Sequence, residues 1–251
     1  MSEQGKFGPR GPLAGSGAFP ETRWTLVVAL RSTDEDQARQ ALSELCGLYW
    51  VPLYSYFRQQ GRAPEDAQDL TQGLFEQLIS RRDLLRADSN KGRLRTFLLA
   101  AAKNLLTSEY RRETRQKRGG TAIPASLDAE DPESHYLRAR AFDDLTPEKL
   151  FERQWATVTL ESVRSSLAEE YASRGRARQF AVLERFLSWN ESNTPYREAA
   201  VEAGLSEEAF RAAVVRMRKR YRLLLRDKIA DTLCEGEDVD AEIGELFAAF
   251  A

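Results

Sequence analysis

A chain of 251 residues, 42% hydrophobic and 30% charged, is long enough to bury a sizeable core, and no stretch of it approaches the roughly 18 to 20 apolar residues of a membrane span. Two distant cysteines, Cys46 and Cys234, and one histidine, His135, exclude a disulfide framework and a tetrahedral zinc site, and they argue against His-based acid/base or triad chemistry. No phosphate-cradling glycine loop and no nucleophile constellation occur, so neither an enzyme nor a cofactor nor a metal is expected.

The net charge of −2 conceals blocks of single sign. Residues 91–118 carry nine Lys/Arg against two Glu, and residues 206–228 carry eight Lys/Arg against three acids. Between them, 119–155 holds eight acids against four bases, and 231–251 holds seven acids and no base. Two cationic surfaces are therefore expected on a near-neutral protein.

Residues 1–20 are Gly/Pro-rich, lack the charged end and apolar run of a secretory signal, and are expected to be a disordered tail on a cytoplasmic protein with no membrane partner. Almost every patterned segment that follows has helical rather than strand period, which predicts an all-α fold. A first helix is expected over 24–30. A second runs from about Asp34 to Arg58, with Leu42, Leu45, Cys46, Tyr49, Leu53 and Phe57 on one stripe, and Gly61 ends it. Pro64 suits the first turn of the next helix, whose apolar stripe is Ala67, Leu70, Leu74, Phe75 and Leu78 and whose opposite face presents Asp69, Gln72 and Glu76. After a polar break at 88–92, a helix from about Leu94 carries Phe97, Leu98, Ala101 and Leu105 and runs into an arginine-rich segment ending near 118. Gly119, Gly120, Pro124, Pro132 and Pro147 punctuate an acidic stretch, 119–150, that reads as a linker with short helices at most. Helical period resumes near Phe151, through Trp155, Val158, Val163, Leu167 and Tyr171, and stops at Arg174-Gly175. Another helix passes through Phe180, Leu183 and Leu187. Thr194-Pro195 then opens a short helix to Ala203, and a long basic helix runs from Glu207 to about Leu233. The expected layout is thus a helical domain over 21–118, a linker over 119–150, a second helical domain over 151–234 and an acidic extension over 235–251.

The segment 196–206 has the small residues, turn glycine and apolar leucine of a helix-turn-helix. In its second helix Phe210, Ala213, Val214, Met217, Tyr221 and Leu224 form the core stripe, which leaves Arg211, Val215, Arg218, Lys219 and Arg222 on a face for DNA. In the first domain the basic, aromatic-containing run suits capture of unstacked single strands, with Phe97, Tyr110 and the arginines as candidates. In the acidic extension, Ile243, Leu246, Phe247 and Phe250 make an amphipathic helix that could dock on the second domain and compete with DNA for its basic helix.

In combined order these motifs resemble extracytoplasmic-function sigma factors of the sigma-70 family, from about residue 45 to 228. The residues Leu48-Tyr49-Trp50-Val51-Pro52-Leu53-Tyr54-Ser55-Tyr56-Phe57 are similar to the first helix of region 2. The run Ala63-Pro64-Glu65-Asp66-Ala67-Gln68-Asp69-Leu70-Thr71-Gln72-Gly73-Leu74-Phe75 is similar to the polymerase-binding helix. Residues 91–98 and 101–106, followed by the arginine cluster, resemble the segments that melt and read the minus-10 element, and the C-terminal helix pair resembles region 4, which reads the minus-35 element. The resemblance implies that Asp66, Asp69, Leu70, Gln72 and Glu76 meet the coiled-coil clamp helices of the polymerase largest subunit. It implies minus-10 contacts for Arg95, Phe97, Lys103, Asn104, Tyr110, Arg111, Arg112 and Arg115, with core RNA polymerase, promoter DNA and an anti-sigma or other regulatory protein as partners. This sequence departs from the pattern with Phe97 where Trp is usual, with Gly73 at a polar position, and with Glu207-Glu208 opening the recognition helix. A helix-turn-helix repressor with a ligand-binding or dimerisation domain is the competing expectation.

Overall fold

The computed structural model describes residues 29–30, 32, 34–80, 93–113, 131–140, 145–187, 194–233 and 237–251. The expected tail, most of the helix expected over 24–30, Arg115 and the stretch 114–130 lie outside the described residues. Among these residues there are nine α-helices and no strand, as the helical period predicts. They are α1 (Glu35–Gln59), α2 (Pro64–Ser80), α3 (Leu94–Glu113), α4 (Pro132–Arg140), α5 (Pro147–Ser173), α6 (Ala177–Leu183), α7 (Tyr196–Glu202), α8 (Glu207–Ala230) and α9 (Val239–Ala248).

Local chemistry sets the boundaries. Asp34 caps α1, its carboxylate accepting from the amides of Asp36 at 3.0 Å and Gln37 at 3.4 Å, and Glu35 and Asp36 lie where the helix dipole favours negative charge. Pro52 sits inside α1, yet the helix continues, because the buried residues on either side of it from Leu48 to Phe57 hold that segment in the core. Two prolines of the expected linker turn out to start helices. Pro132 is the first residue of α4, behind Asp131, whose carboxylate accepts from the Glu133 amide at 3.2 Å. Pro147 is the first residue of α5, capped by Thr146, whose hydroxyl accepts from the Lys149 amide at 3.3 Å. A proline at the first helical position lacks only an amide that would have had no partner.

Two cores result. The first gathers Leu45, Tyr49, Leu53 and Phe57 of α1, Ala67 and Leu74 of α2, and Leu94, Leu98 and Ala102 of α3. It is completed by Tyr136 of α4, Phe151, Trp155 and Val163 of α5, Leu225 and Ile229 of α8 and Leu246 of α9. Trp50 and Phe75 stack across α1 and α2 with ring centres 6.0 Å apart. Among the described residues the broadest helix-to-helix packing is α5 on α1, and α4 also lies on α1. The second core comprises Leu167, Phe180, Val182, Leu183, Phe186, Ala199, Ala200, Phe210, Ala213, Val214 and Met217. Its centre is an aromatic triangle of Phe186, Tyr196 and Phe210, with ring centres 5.0 to 5.8 Å apart.

The expected Thr194 cap is displaced by one residue: Pro195 occupies the cap position of α7 and makes no side-chain cap bond. Between α7 and α8 the chain reverses at Gly204, whose φ of 69° is left-handed, and the Leu205 amide donates back to Ala200 at 2.9 Å. Ser206 then caps α8, accepting from the Ala209 amide at 3.2 Å.

Candidate polymerase and nucleic-acid interfaces

Helix α2 exposes its acids. Asp66, Asp69 and Glu76 are solvent-accessible, Gln72 is half-buried and donates to Glu76 at 3.0 Å, and Leu70 is half-buried against the first core. Positions 69, 72 and 76 share one helix face, and the opposite face carries the buried Ala67, Thr71 and Leu74, so the acidic face is held by a packed back.

Helix α3, the centre of the first cationic block, is less open. Arg95 is buried, with 8% of its side chain exposed, beneath α9 and α5. It binds Glu242 with two bonds, Nε at 2.7 Å and Nη2 at 3.1 Å, donates to Glu245 at 2.5 Å, contacts Glu152, and lies over the Trp155 ring at 4.9 Å. The neighbouring Arg93 pairs with Glu242 at 3.0 Å and with Glu245. Burial works to lower the Arg95 pKa, but the Glu242 carboxylate and the Glu152 charge hold it above the ordinary value. The Arg93 guanidinium beside Glu245 pulls that carboxyl below its usual range, against the opposing effect of burial. Glu152 moves the other way, because its burial outweighs the charge of Arg95. Four carboxylates, Glu152, Glu237, Glu242 and Glu245, thus surround two guanidiniums.

The remaining expected α3 residues are placed differently. Phe97 is half-buried against the first core, and Lys103 reaches Glu148 of α5 at 2.9 Å. Asn104 is exposed, and Tyr110 is 66% exposed, a large aromatic ring turned to solvent. Arg111 and Arg112 fall in the last turn of α3, but their side chains lie outside the description.

On α8, Val215, Lys219, Arg222 and Arg211 are exposed. Arg211 pairs with Glu207 at 2.6 Å and lies 5.6 Å from the Tyr196 ring, so Glu207 is engaged within its own helix. Arg218 is half-buried and donates from Nε to the Phe186 carbonyl at 2.7 Å, which ties α8 to the turn after α6. Sequence reasoning missed a basic cleft on the flank of α8. It is about 280 Å3, lined by Glu170, Tyr171, Arg174, Arg176, Arg216 and Arg220. There Arg220 chelates Glu170, lowering that carboxyl's pKa, and three further arginines stand around the pair. Only the positions of Arg216 and Arg220 one helical turn apart could have signalled it.

Residues 49–116 match the family described as Sigma-70 region 2. They span the second half of α1, all of α2 and all of α3. No curated protein and no solved structure matches the chain. The match supports a sigma factor of the sigma-70 family, with a role in transcription initiation through core RNA polymerase. No described helix is long and apolar enough to cross a membrane, and no cluster of potential metal ligands occurs among the described residues.

Proposed function

We propose that this protein is a sigma factor of the extracytoplasmic-function type that binds core RNA polymerase through α2 and recruits it to promoter DNA. The carrying observation is that the Sigma-70 region 2 match coincides with the exposed acidic face of Asp66, Asp69 and Glu76, one helix away from a basic segment. In this reading α2 meets the polymerase clamp helices. Asn104, Tyr110, Arg111, Arg112 and Arg115 engage the separated minus-10 strand, by stacking and by phosphate contacts. The α7–α8 pair is a helix-turn-helix that sets Arg211, Val215, Lys219 and Arg222 towards the minus-35 element, with Arg218 bracing the helix behind them. The cleft around Arg216 and Arg220 adds sequence-independent phosphate affinity, which is salt-dependent. A regulatory protein of the anti-sigma type is a further partner in this reading.

The test is association. Purified protein is mixed with sigma-free core enzyme from its host at low ionic strength, and complex formation is read by gel filtration, followed by mapping of transcript starts on genomic DNA. A stable complex and defined start sites are expected. Failure to associate, together with dimerisation and palindromic half-sites, would transfer the assignment to a helix-turn-helix repressor.

A further inference from the structure

The charged groups of the proposed interfaces are treated unequally. The acids offered to polymerase, Asp66, Asp69 and Glu76, are exposed on α2. The cations at the start and middle of α3 are not open in the same way: Arg93, Arg95 and Lys103 each carry a carboxylate from the C-terminal half of the chain. Glu242 and Glu245, three residues apart on α9, face Arg93 and Arg95, two residues apart at the start of α3, and Glu242 is itself only 1% exposed. Asp240 of α9 pairs with Arg226 of α8, so the same short acidic helix also neutralises a cation on the second basic block.

We infer that α9 is an internal substitute for nucleic acid, a carboxylate-bearing helix that occupies the arginines at the start of α3, so that the closed chain can bind polymerase but must release α9 before those arginines meet a promoter strand. The inference rests on the sigma-factor reading and specifies its regulation. A phosphate cannot reach Arg95 while α9 and α5 cover it. With Arg95 shared among Glu152, Glu242 and Glu245, and Arg93 among Glu237, Glu242 and Glu245, the patch presents more negative than positive charge and repels the strand. Release is an exchange of carboxylates for phosphates around the same guanidiniums, so no buried cation is left unpaired at the end of it. The cover is small: α9 is ten residues long, and Leu246 is its one fully buried apolar side chain. It can therefore leave without dissolving either core, as a local opening.

The experiment compares the full-length protein with the double variant Glu242→Gln/Glu245→Gln. Gln keeps a hydrogen-bond acceptor for each arginine and removes the charge. Fluorescence anisotropy measures the affinity of the free protein for a labelled single-stranded promoter oligonucleotide across salt concentrations, and polymerase affinity is measured separately. The variant is expected to bind the oligonucleotide at least tenfold more tightly than the wild type at low salt, with the gap narrowing as salt rises and polymerase affinity unchanged. Equal oligonucleotide affinity in a variant that melts as a folded protein overturns the inference and leaves the sigma-factor reading standing. Tighter oligonucleotide binding with no polymerase binding by either protein does the reverse. Hydrogen exchange on the wild-type protein supplies a second readout that needs no variant. Amides of residues 239–248 should exchange faster when polymerase and promoter strand are added, and unchanged or increased protection in that complex overturns the inference.

Discussion

Helix α4, from the segment that reads as a linker, lies on α1 through the buried Tyr136 ring and through one carboxylate, and removing that carboxylate gives a measurable cost. Glu133 accepts from the Tyr54 hydroxyl at 2.6 Å, from Arg58 Nε at 2.8 Å and from Arg58 Nη2 at 2.8 Å. The Arg58 and Glu133 side chains are 17% and 22% exposed, between the surface regime, where a pair contributes about 0–1 kcal/mol, and the buried regime, where breaking one costs about 3–5 kcal/mol. Glu133→Ala leaves Arg58 Nε and Nη2 and the Tyr54 hydroxyl without their acceptor, while Arg58 stays held by its bond to the Arg62 carbonyl and over the Tyr136 ring at 4.9 Å, unable to turn fully to water. A loss of about 2–3 kcal/mol is expected, and Glu133→Gln, which keeps one acceptor, should lose about half of that. Urea unfolding at pH 7 reads both. The hydrogen bond from Arg58 is the main cause lowering the Glu133 pKa from 4.5, against burial. The folded value lies below the unfolded one, so the stabilisation is fully present above about pH 4.5 and is lost as pH falls through the folded value. The gap between wild type and Glu133→Ala should therefore be constant from pH 5 to 7 and close in stronger acid. A Glu133→Ala midpoint equal to the wild-type midpoint would refute the claim that this carboxylate fastens α4.

Other outcomes are expected on the same footing. Asp69→Lys should weaken core-polymerase binding by about tenfold or more, since it reverses a charge on the face proposed to meet polymerase, while its melting temperature stays at the wild-type value because the residue is exposed. Arg112→Ala should leave polymerase binding intact and reduce promoter opening, read by permanganate footprinting of unpaired thymines. Gly204→Ala should cost about 1–2 kcal/mol in urea unfolding, because a Cβ disfavours the left-handed φ of 69° that joins α7 to α8. Burial pushes the Cys46 thiol up to about 11, so at pH 8 only about one molecule in a thousand carries the thiolate. In a Cys234→Ser background, iodoacetamide should label Cys46 quickly in urea and very slowly in buffer.

Much of the helical framework was legible because it rests on local signals. Of the α1 stripe, Leu45, Cys46, Tyr49, Leu53 and Phe57 are buried and Leu42 is half-buried; of the α8 stripe, Phe210, Ala213, Val214 and Met217 are buried and Tyr221 and Leu224 are half-buried. The glycine turn between α7 and α8 is equally local. Pro132 and Pro147 punctuate the acidic stretch, and Asp131 and Thr146 ahead of them supply the caps that make each proline a helix start. The candidate site was legible on α2, where exposure follows from amphipathic period. It was not legible at Arg95. A guanidinium in a basic run looks like a phosphate ligand, and only the fold brings Glu152 and Glu242, 57 and 147 residues further on, into contact with it. The tail was expected to be an amphipathic acidic helix against the second basic helix, and α9 does pair Asp240 with Arg226 there. Its longer reach to α3 depends on the meeting of α5, α8 and α3, which no local pattern encodes.

Helix α5 enters the first core at Leu150 and Phe151 and reaches the second at Leu167, and α8 passes the other way, from Phe210 in the second core to Leu225 and Ile229 in the first. Two unbroken rods therefore run through both hydrophobic centres, α5 alone about 40 Å long at 1.5 Å per residue. Neither centre can melt without fraying a rod that the other still needs, so calorimetry should record one heat-absorption peak rather than two.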